Sequence, residues 1–387
     1  MNYQEIKDFP CNAPKGSIAI VVPDGYVKPC CAFIHQTNDW LETSNLYHTK
    51  SFDDILTSHH WNNYEPNKHC VSCIEHEEAI DSHDGPSSLR EHWNLEISDD
   101  TNKLEYMELA LDFTCNMMCR MCGPRQSSKW NASPILKELQ TFTKFDKAYY
   151  KKTTVLKEYS KQLMVNLNNT DLSNIKEVRL VGGEPLYSKN LPWFINLLKK
   201  QEHWKDIKII IITNGSILPS KDLFEGFNCV EIDVSIDSIG NLATATRMKV
   251  PWETVDANIR EMIKLYEVHI HTTVSLLNCN QMQPLINYRH NLNISPIDHT
   301  FSMLHGPKHL LLNLIPKEHR DKWITTHPRV NHMLEMEHQE NPPESYRFLK
   351  AMEILDAESE LSFRDVNPEI MEIMEKLVKG YRSDGKV

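Results

Sequence analysis

Cys115, Cys119 and Cys122 stand in the spacing Cys-x3-Cys-x2-Cys, directly after an apolar run at residues 104–113. Three thiolates at these intervals can hold three corners of a cubane iron–sulfur cluster. The fourth iron then has no protein ligand, and a substrate or cofactor can take its open position. A four-cysteine electron carrier has no such vacancy, and structural zinc asks for a fourth protein ligand. The spacing therefore points to chemistry on a cluster and not only to electron storage. The competing reading is an ordinary or accidental metal-binding group.

A second concentration of chemistry lies at Gly182-Gly183-Glu184-Pro185. Two glycines let the backbone approach a ligand closely and present bare carbonyls. Glu184 adds a carboxylate for a cation, and Pro185 stiffens the exit. The alternative is a tight strand-to-helix turn in which Glu184 is a helix-start charge. A third group precedes both: Cys11, Cys30, Cys31, Cys70 and Cys73, with Gly25 in the turn signal Pro23-Asp24-Gly25-Tyr26. These thiols suit either an iron–sulfur cluster or a zinc knuckle, the latter with His69 or His76 as further ligand candidates. Whether Cys31 is a ligand stays open. Cys229 and Cys279 sit alone and read as small buried hydrophobes.

The elements that must position these residues alternate. Residues 104–113, 177–181, 207–213, 230–236, 268–275 and 300–304 are short, rich in Ile, Val and Leu, and mostly continuous in apolarity. That pattern suits parallel strands covered by helices. Helical stretches at residues 189–200, 221–227, 252–266 and 281–289 fall between them. Six β/α units in succession are too few for a closed eight-stranded barrel. The expected fold is α/β: an open, partial (β/α)6 barrel with an N-terminal cysteine-rich β-hairpin domain and C-terminal helices. Active sites of such sheets lie at the C-terminal strand ends. Cys115, Gly182–Pro185, Thr213-Asn214-Gly215, Ser235-Ile236-Asp237-Ser238, Leu277-Asn278 and Met303-Leu304-His305 all occupy that position. Beyond residue 316 the chain reads as helical. Asn367-Pro368, the stripe Ile370, Ile373, Met374 and Leu377, and then Gly380 give cap, first turn, apolar face and stop. Residues 340–344 read as a link between helices. Expected domain limits are 1–100, 101–310 and 311–387.

Cys115-x3-Cys119-x2-Cys122 resembles the signature of radical S-adenosylmethionine (SAM) enzymes, and Gly182–Pro185 resembles that family's "GGEP" element. The resemblance implies a [4Fe–4S] cluster whose open iron chelates the methionine amino and carboxylate groups. Reductive cleavage of SAM then gives a 5′-deoxyadenosyl radical that takes a hydrogen atom from substrate, the cofactor carrying the hard step. Gly182, Gly183, Glu184 and Pro185 would hold the methionine ammonium. The stretch around Ser235 and Asp237 resembles the ribose-binding part of the family, and the two lie on one side of an extended chain. Arg247 suits the cofactor carboxylate, and Thr213, Asn278 and Met303 line the cofactor. Met121 stands where the family usually has an aromatic residue. Its backbone would meet the adenine edge, with the thioether against the purine.

Cys11-x13-Gly25-x4-Cys30 resembles the opening of the Twitch and SPASM extensions of such enzymes. With Cys70 and Cys73 it implies four thiolates for a second, auxiliary [4Fe–4S] cluster. No further cysteine occurs before Cys115, which fits the shorter Twitch version. These extensions usually follow the barrel, whereas this one precedes it.

Composition narrows the function. The net charge of −11 over 387 residues argues against nonspecific nucleic-acid binding. Strongly apolar stretches such as residues 207–212 and 310–315 are far too short to span a bilayer. The first residues carry no apolar signal region, so a cytoplasmic protein is expected. The expected function is oxidative modification or crosslinking of a peptide or protein side chain. An external reductant such as flavodoxin or ferredoxin would serve it. The alternatives are a small-molecule dehydrogenase or a non-catalytic metal-binding scaffold.

Overall fold

In the computed structural model, residues 11–20, 23–30, 33, 44–58, 61, 96–97, 103–142, 149–153 and 156–384 are described. Cys31, Cys70 and Cys73 lie outside them. The chain divides into two compact units. The first comprises Met1–Phe113, Thr154–Ile211 and Ser220–Val230, and the second Thr114–Thr153, Ile212–Pro219 and Glu231–Val387.

Nine strands are described: β1 (Ser17–Ile20), β2 (Tyr106–Ala110), β3 (Met118–Cys119), β4 (Glu177–Val181), β5 (Lys208–Thr213), β6 (Cys229–Ser235), β7 (Arg247–Met248), β8 (Glu267–Val274) and β9 (His299–Met303). Seven form one sheet in the order β1-β2-β4-β5-β6-β8-β9, with β1-β2-β4-β5 and β6-β8-β9 paired in parallel. Within the first unit, Glu108 of β2 pairs with Ala19 of β1 and Arg179 of β4. Within the second, Ser235 of β6 pairs with His271 of β8, and Val274 of β8 with Met303 of β9.

The sheet has one strand more than the six expected. Ser17–Ile20 is buried throughout and joins β2 in parallel register. The run lies within the Cys11–Cys30 stretch expected to form a β-hairpin, and its two bonding edges explain the difference. One edge pairs with β2, while on the other Ala19 and Lys28 exchange backbone hydrogen bonds of 2.7 and 3.0 Å. Gly25, at φ 75°, lies in the turn between them.

Strand β8 also departs from the expected continuous apolarity. Val268, Ile270, Thr272 and Val274 are buried, whereas His269, His271 and Thr273 are half-exposed. Only one face of this strand is packed away, so its pattern has period two. The helix Trp252–Met262 buries Val255, Ile259 and Met262, the i, i+4, i+7 stripe of a surface helix.

At the C-terminus two expectations change. Pro342 and Pro343, read as a link, open the helix Pro342–Asp356. Proline costs nothing in a first turn, where the backbone N–H has no helical partner. The last helix, Pro368–Ser383, runs through Gly380 instead of stopping there, because Val378 and Tyr381 keep its final turns buried. It packs on Pro342–Asp356. Among the described residues, no helix is long and apolar enough to cross a membrane.

Candidate active site

In the second unit, the cysteine loop is fixed along nearly its whole length. Cys119 lies in β3, whose two residues pair antiparallel with β7, placing Cys119 opposite Arg247. Side chains take the loop carbonyls one after another. Ser127 Oγ donates to Met117 O at 2.8 Å, Trp130 Nε1 to Cys119 O at 2.8 Å, and the Tyr149 hydroxyl to Met121 O. Ser128 Oγ accepts the Cys115 N–H at 3.1 Å. Between the cysteines, Arg120 points the other way and is fully buried. It donates to Ala245 O at 2.7 Å and Asp356 Oδ1 at 2.5 Å, and its guanidinium lies 5.6 Å from the Phe363 ring centre. Burial lowers the Arg120 pKa, with Asp356 opposing it.

Cys115 and Cys119 are buried and Cys122 is half-buried. The Cys119 thiol is pushed well above its ordinary pKa by a hydrogen bond with Cys122, then by burial and by the neighbouring sulfur's charge. Arg247 pulls the other way. Metal coordination deprotonates a thiol outright, so a bound cation would overcome the factors that hold the Cys119 proton. Soft sulfur donors, shielded from water beside a fixed guanidinium, therefore fit a cluster bearing net negative charge.

Arg247 is itself anchored. Its Nε and one Nη lie 2.8 and 2.7 Å from Asp237 Oδ2, with the carboxylate side chain 1% exposed. Burial works against the arginine charge, but Asp237, and then Cys119 and Cys122, outweigh it and raise its pKa. The other Asp237 oxygen accepts the Thr273 N–H at 2.9 Å, and its carbonyl accepts Asn278 Nδ2 at 2.8 Å. Asn278 is buried and also bonds Thr273 O and the Ser275 N–H. It thus ties the end of β8 to the end of β6. Ser235 lines a small cleft with Met117, Ile236, Ser238, Arg247 and Trp252.

The end of β5 supports the first cysteine. Asn214 Nδ2 donates to Asn116 Oδ1 at 3.0 Å and lies 3.9 Å from Cys115 Sγ. Asn116 Nδ2 reaches Ser216 Oγ at 2.8 Å. Thr213 is buried and accepts the Gly215 N–H at 3.2 Å.

The first unit supplies the glycine turn. Gly182 follows β4 at φ 116°, where a β-carbon would stand 2.7 Å from Asp112 O and 2.8 Å from the Ala110 β-carbon. Only glycine fits that close approach in that conformation. Glu184 is 1% exposed, and its Oε1 accepts the Leu186 N–H at 3.1 Å, capping the short 3-10 turn Pro185–Tyr187. Asp112 accepts from Ser188 Oγ and, at 3.1 Å, from Asn190 Nδ2. Gly183 is half-buried.

The other candidates differ in burial. Met303 is half-buried and His305 exposed. Cys11 and Cys30 are buried. Cys279 is fully buried, and burial drives its thiol pKa up. Sequence reasoning passed over Asp112, Asn116, Arg120, Trp130 and Tyr149. Asp112 and Arg120 carried a signal, since each is a charged residue beside a buried strand or between cysteines.

A family model described as the Radical SAM superfamily matches residues 113–280. Curated relatives include the GTP 3′,8-cyclase of Aliarcobacter butzleri (strain RM4018), 26% identical over 148 residues, 38% of each chain. The GTP 3′,8-cyclase of Helicobacter pylori (strain ATCC 700392 / 26695) is 23% identical over 199 residues, 49% of this chain and 54% of that protein. The chain thus spans between 38% and 54% of the length of these two relatives. Among solved structures, native anSMEcpe with bound AdoMet and Cp18Cys peptide aligns at TM-score 0.36 and 15% identity, covering 64% of this chain and 57% of that one. Streptococcus suis SuiB bound to precursor peptide SuiA aligns at 0.34 and 13%, covering 82% and 65%. Residues 113–280, with the three-cysteine loop, the glycine turn and the Asp237–Arg247 pair, thus match the radical SAM superfamily, a family of enzymes.

Proposed function

We propose that Cys115, Cys119 and Cys122 hold a [4Fe–4S] cluster, with SAM on its open iron, and that the enzyme oxidatively modifies or crosslinks a peptide or protein side chain. When bound, the cluster and SAM would supply hydrogen-abstracting radical chemistry, with an external flavodoxin or ferredoxin as reductant. The chain's own residues bind and orient. Arg247, made rigid by Asp237, offsets thiolate charge and presents a cation to the methionine carboxylate. Gly182 and Gly183 let backbone approach the ammonium, and Glu184 and Pro185 fix that turn. Ser235 faces the ribose, Met121 the adenine, and Thr213, Asn278 and Met303 complete the lining. The observation that carries this reading is the loop itself: three thiols on a backbone whose carbonyls are tied outward, beside a salt-bridged arginine.

In this reading Cys11, Cys30, Cys70 and Cys73 hold an auxiliary [4Fe–4S] cluster in an N-terminal Twitch-like domain, residues 1–100. The barrel spans residues 101–310 and a helical extension 311–387. Four protein thiolates would close that second site, which would then suit electron transfer to or from a substrate radical, or a structural role, and not substrate ligation. The electron-transfer role is what favours an oxidative outcome. A small-molecule substrate is the second reading, favoured by curated relatives that are GTP 3′,8-cyclases.

The test is anaerobic reconstitution followed by iron counting and product analysis with peptide and nucleotide panels. About eight irons in the wild type and about four in Cys70→Ala support the two-cluster account. Unchanged iron in Cys70→Ala rules out the auxiliary cluster. Turnover of a nucleotide, with no peptide modified, moves the assignment to the second reading.

A further inference from the structure

The helices Pro342–Asp356 and Pro368–Ser383 leave an open cleft of about 520 Å³ between them. That is the size of a site for one small molecule, roughly 300–1,000 Å³. Leu349, Met352, Met371 and Val378 give it an apolar lining. Met352, Met371 and Val378 are buried, and Leu349 is half-buried. Two of the four are methionines, whose unbranched side chains adapt to the shape of an apolar guest.

Charged residues line the same cleft, and their pairing is unequal. Glu353 takes Lys350 at 2.5 Å, Glu375 takes Arg364, and Asp356 takes Arg120 at 2.5 Å. Every carboxylate of the lining is therefore engaged. Lys379 and Arg382 line the cleft too, and among the described residues neither is paired with a carboxylate. They stand three residues apart on the last helix, neighbours on its surface. The Arg382 guanidinium lies 5.1 Å from the centre of the Tyr346 ring on the other helix. A guanidinium held over an aromatic ring keeps its N–H edge available for an acceptor, and that edge matches a carboxylate. In a chain of net charge −11, this end of the cleft is a local exception that favours an anion. A small inorganic anion would leave the apolar lining uncovered, and a neutral apolar guest would leave both cations unused.

We propose that this cleft binds a small amphipathic carboxylate, its head on Lys379 and Arg382 and a short aliphatic tail against Leu349, Met352, Met371 and Val378. The site lies away from the thiols yet beside the anchor of their loop. Met352 and Asp356, which line it, also seat Arg120, whose Nη atoms lie 3.5 Å from Met352 Sδ and 2.5 Å from Asp356 Oδ1.

Sodium octanoate is the probe, with hexanoate and octan-1-ol as comparisons. Each is titrated calorimetrically into the cluster-loaded chain under anaerobic conditions. Octanoate should bind saturably at one site per chain. Hexanoate, lacking two methylenes, should bind roughly tenfold more weakly, and octan-1-ol should bind more weakly than octanoate. Lys379→Gln and Arg382→Gln should each weaken octanoate roughly fivefold, and Arg382→Lys should lose less. Leu349→Ala should also weaken it. Lys379 and Arg382 are exposed and Leu349 is half-buried, so these variants should fold, which circular dichroism checks. No saturable octanoate binding overturns the site. Octan-1-ol or hexanoate matching octanoate also overturns it, because the head or the tail is then not recognised. Octanoate binding that is unchanged in both Arg382→Gln and Leu349→Ala lies elsewhere on the chain and overturns it as well.

Discussion

The glycine turn after β4 and the cysteine loop after β2 are built by opposite means. At Gly182 the backbone does the work: at a φ of 116°, a β-carbon would stand 2.7 and 2.8 Å from its neighbours, which leaves no room for a side chain. The cysteine loop contains no glycine between Cys115 and Cys122. It takes its shape from side chains of Ser127, Trp130, Tyr149 and Asp356, which reach it from other elements. A backbone-built site is local and brittle. A site pinned from outside can be loosened one pin at a time, and this difference sets what mutation should do in each.

The largest effect belongs to the thiols. Cys119→Ala should bring 5′-deoxyadenosine formation to background and remove the iron bound by this loop, measured after anaerobic reconstitution. Next comes the buried ion pair behind the loop. Asp356→Ala leaves Arg120 as an uncompensated buried charge and should cost about 3 kcal/mol in denaturant unfolding. Loosening by distance predicts that iron loading weakens together with stability. If iron binding is unaffected at full destabilisation, the pin does not shape the loop.

Gly182→Ala should cost about 2 kcal/mol through backbone strain and reduce SAM affinity without changing iron content. That pairing of readouts separates the two regions, since loss of iron in Gly182→Ala would join them. Asn214→Ala removes a single support of the first cysteine and should cost only about 1 kcal/mol, with a slower rate of cluster insertion.

Acid should also distinguish the regions. Burial, then Arg289, His327 and His271, lower the His299 pKa from 6.5 to about 3. The unfolded chain therefore binds more protons between those values, and stability falls as pH drops through that window. The slope is at most about 1.4 kcal/mol per pH unit. The groups facing His299 are Thr272, Phe301, Arg289, His327 and His271. Hydrogen exchange at pH 5 should therefore show β8 and β9 losing protection before β4. Equal loss in both would remove His299 as the cause.

These contrasts also mark what the sequence could tell. Strand β4 was legible to the residue, at 177–181, because Glu-Val-Arg-Leu-Val is short and bounded by Asn174 before and glycine after. The cysteine spacing and the glycine pair were legible because each is a local chemical statement. The pins were not. Arg120 and Asp356 are 236 residues apart, and nothing local in either announces the other. Asp237 shows the same limit: its place at a strand end was readable, but its partnership with Arg247 and the Thr273 N–H needs the fold. Strand β1 was missed because Ser-Ile-Ala-Ile before a turn signal suits a hairpin arm and a sheet edge equally, and here it is both.

The most direct test of the account is SAM cleavage by the reconstituted chain under dithionite, compared with Cys122→Ala. The account predicts 5′-deoxyadenosine from the wild type and none above background from the variant. Release that persists in Cys122→Ala, or none from fully iron-loaded wild type with either dithionite or flavodoxin, would contradict it.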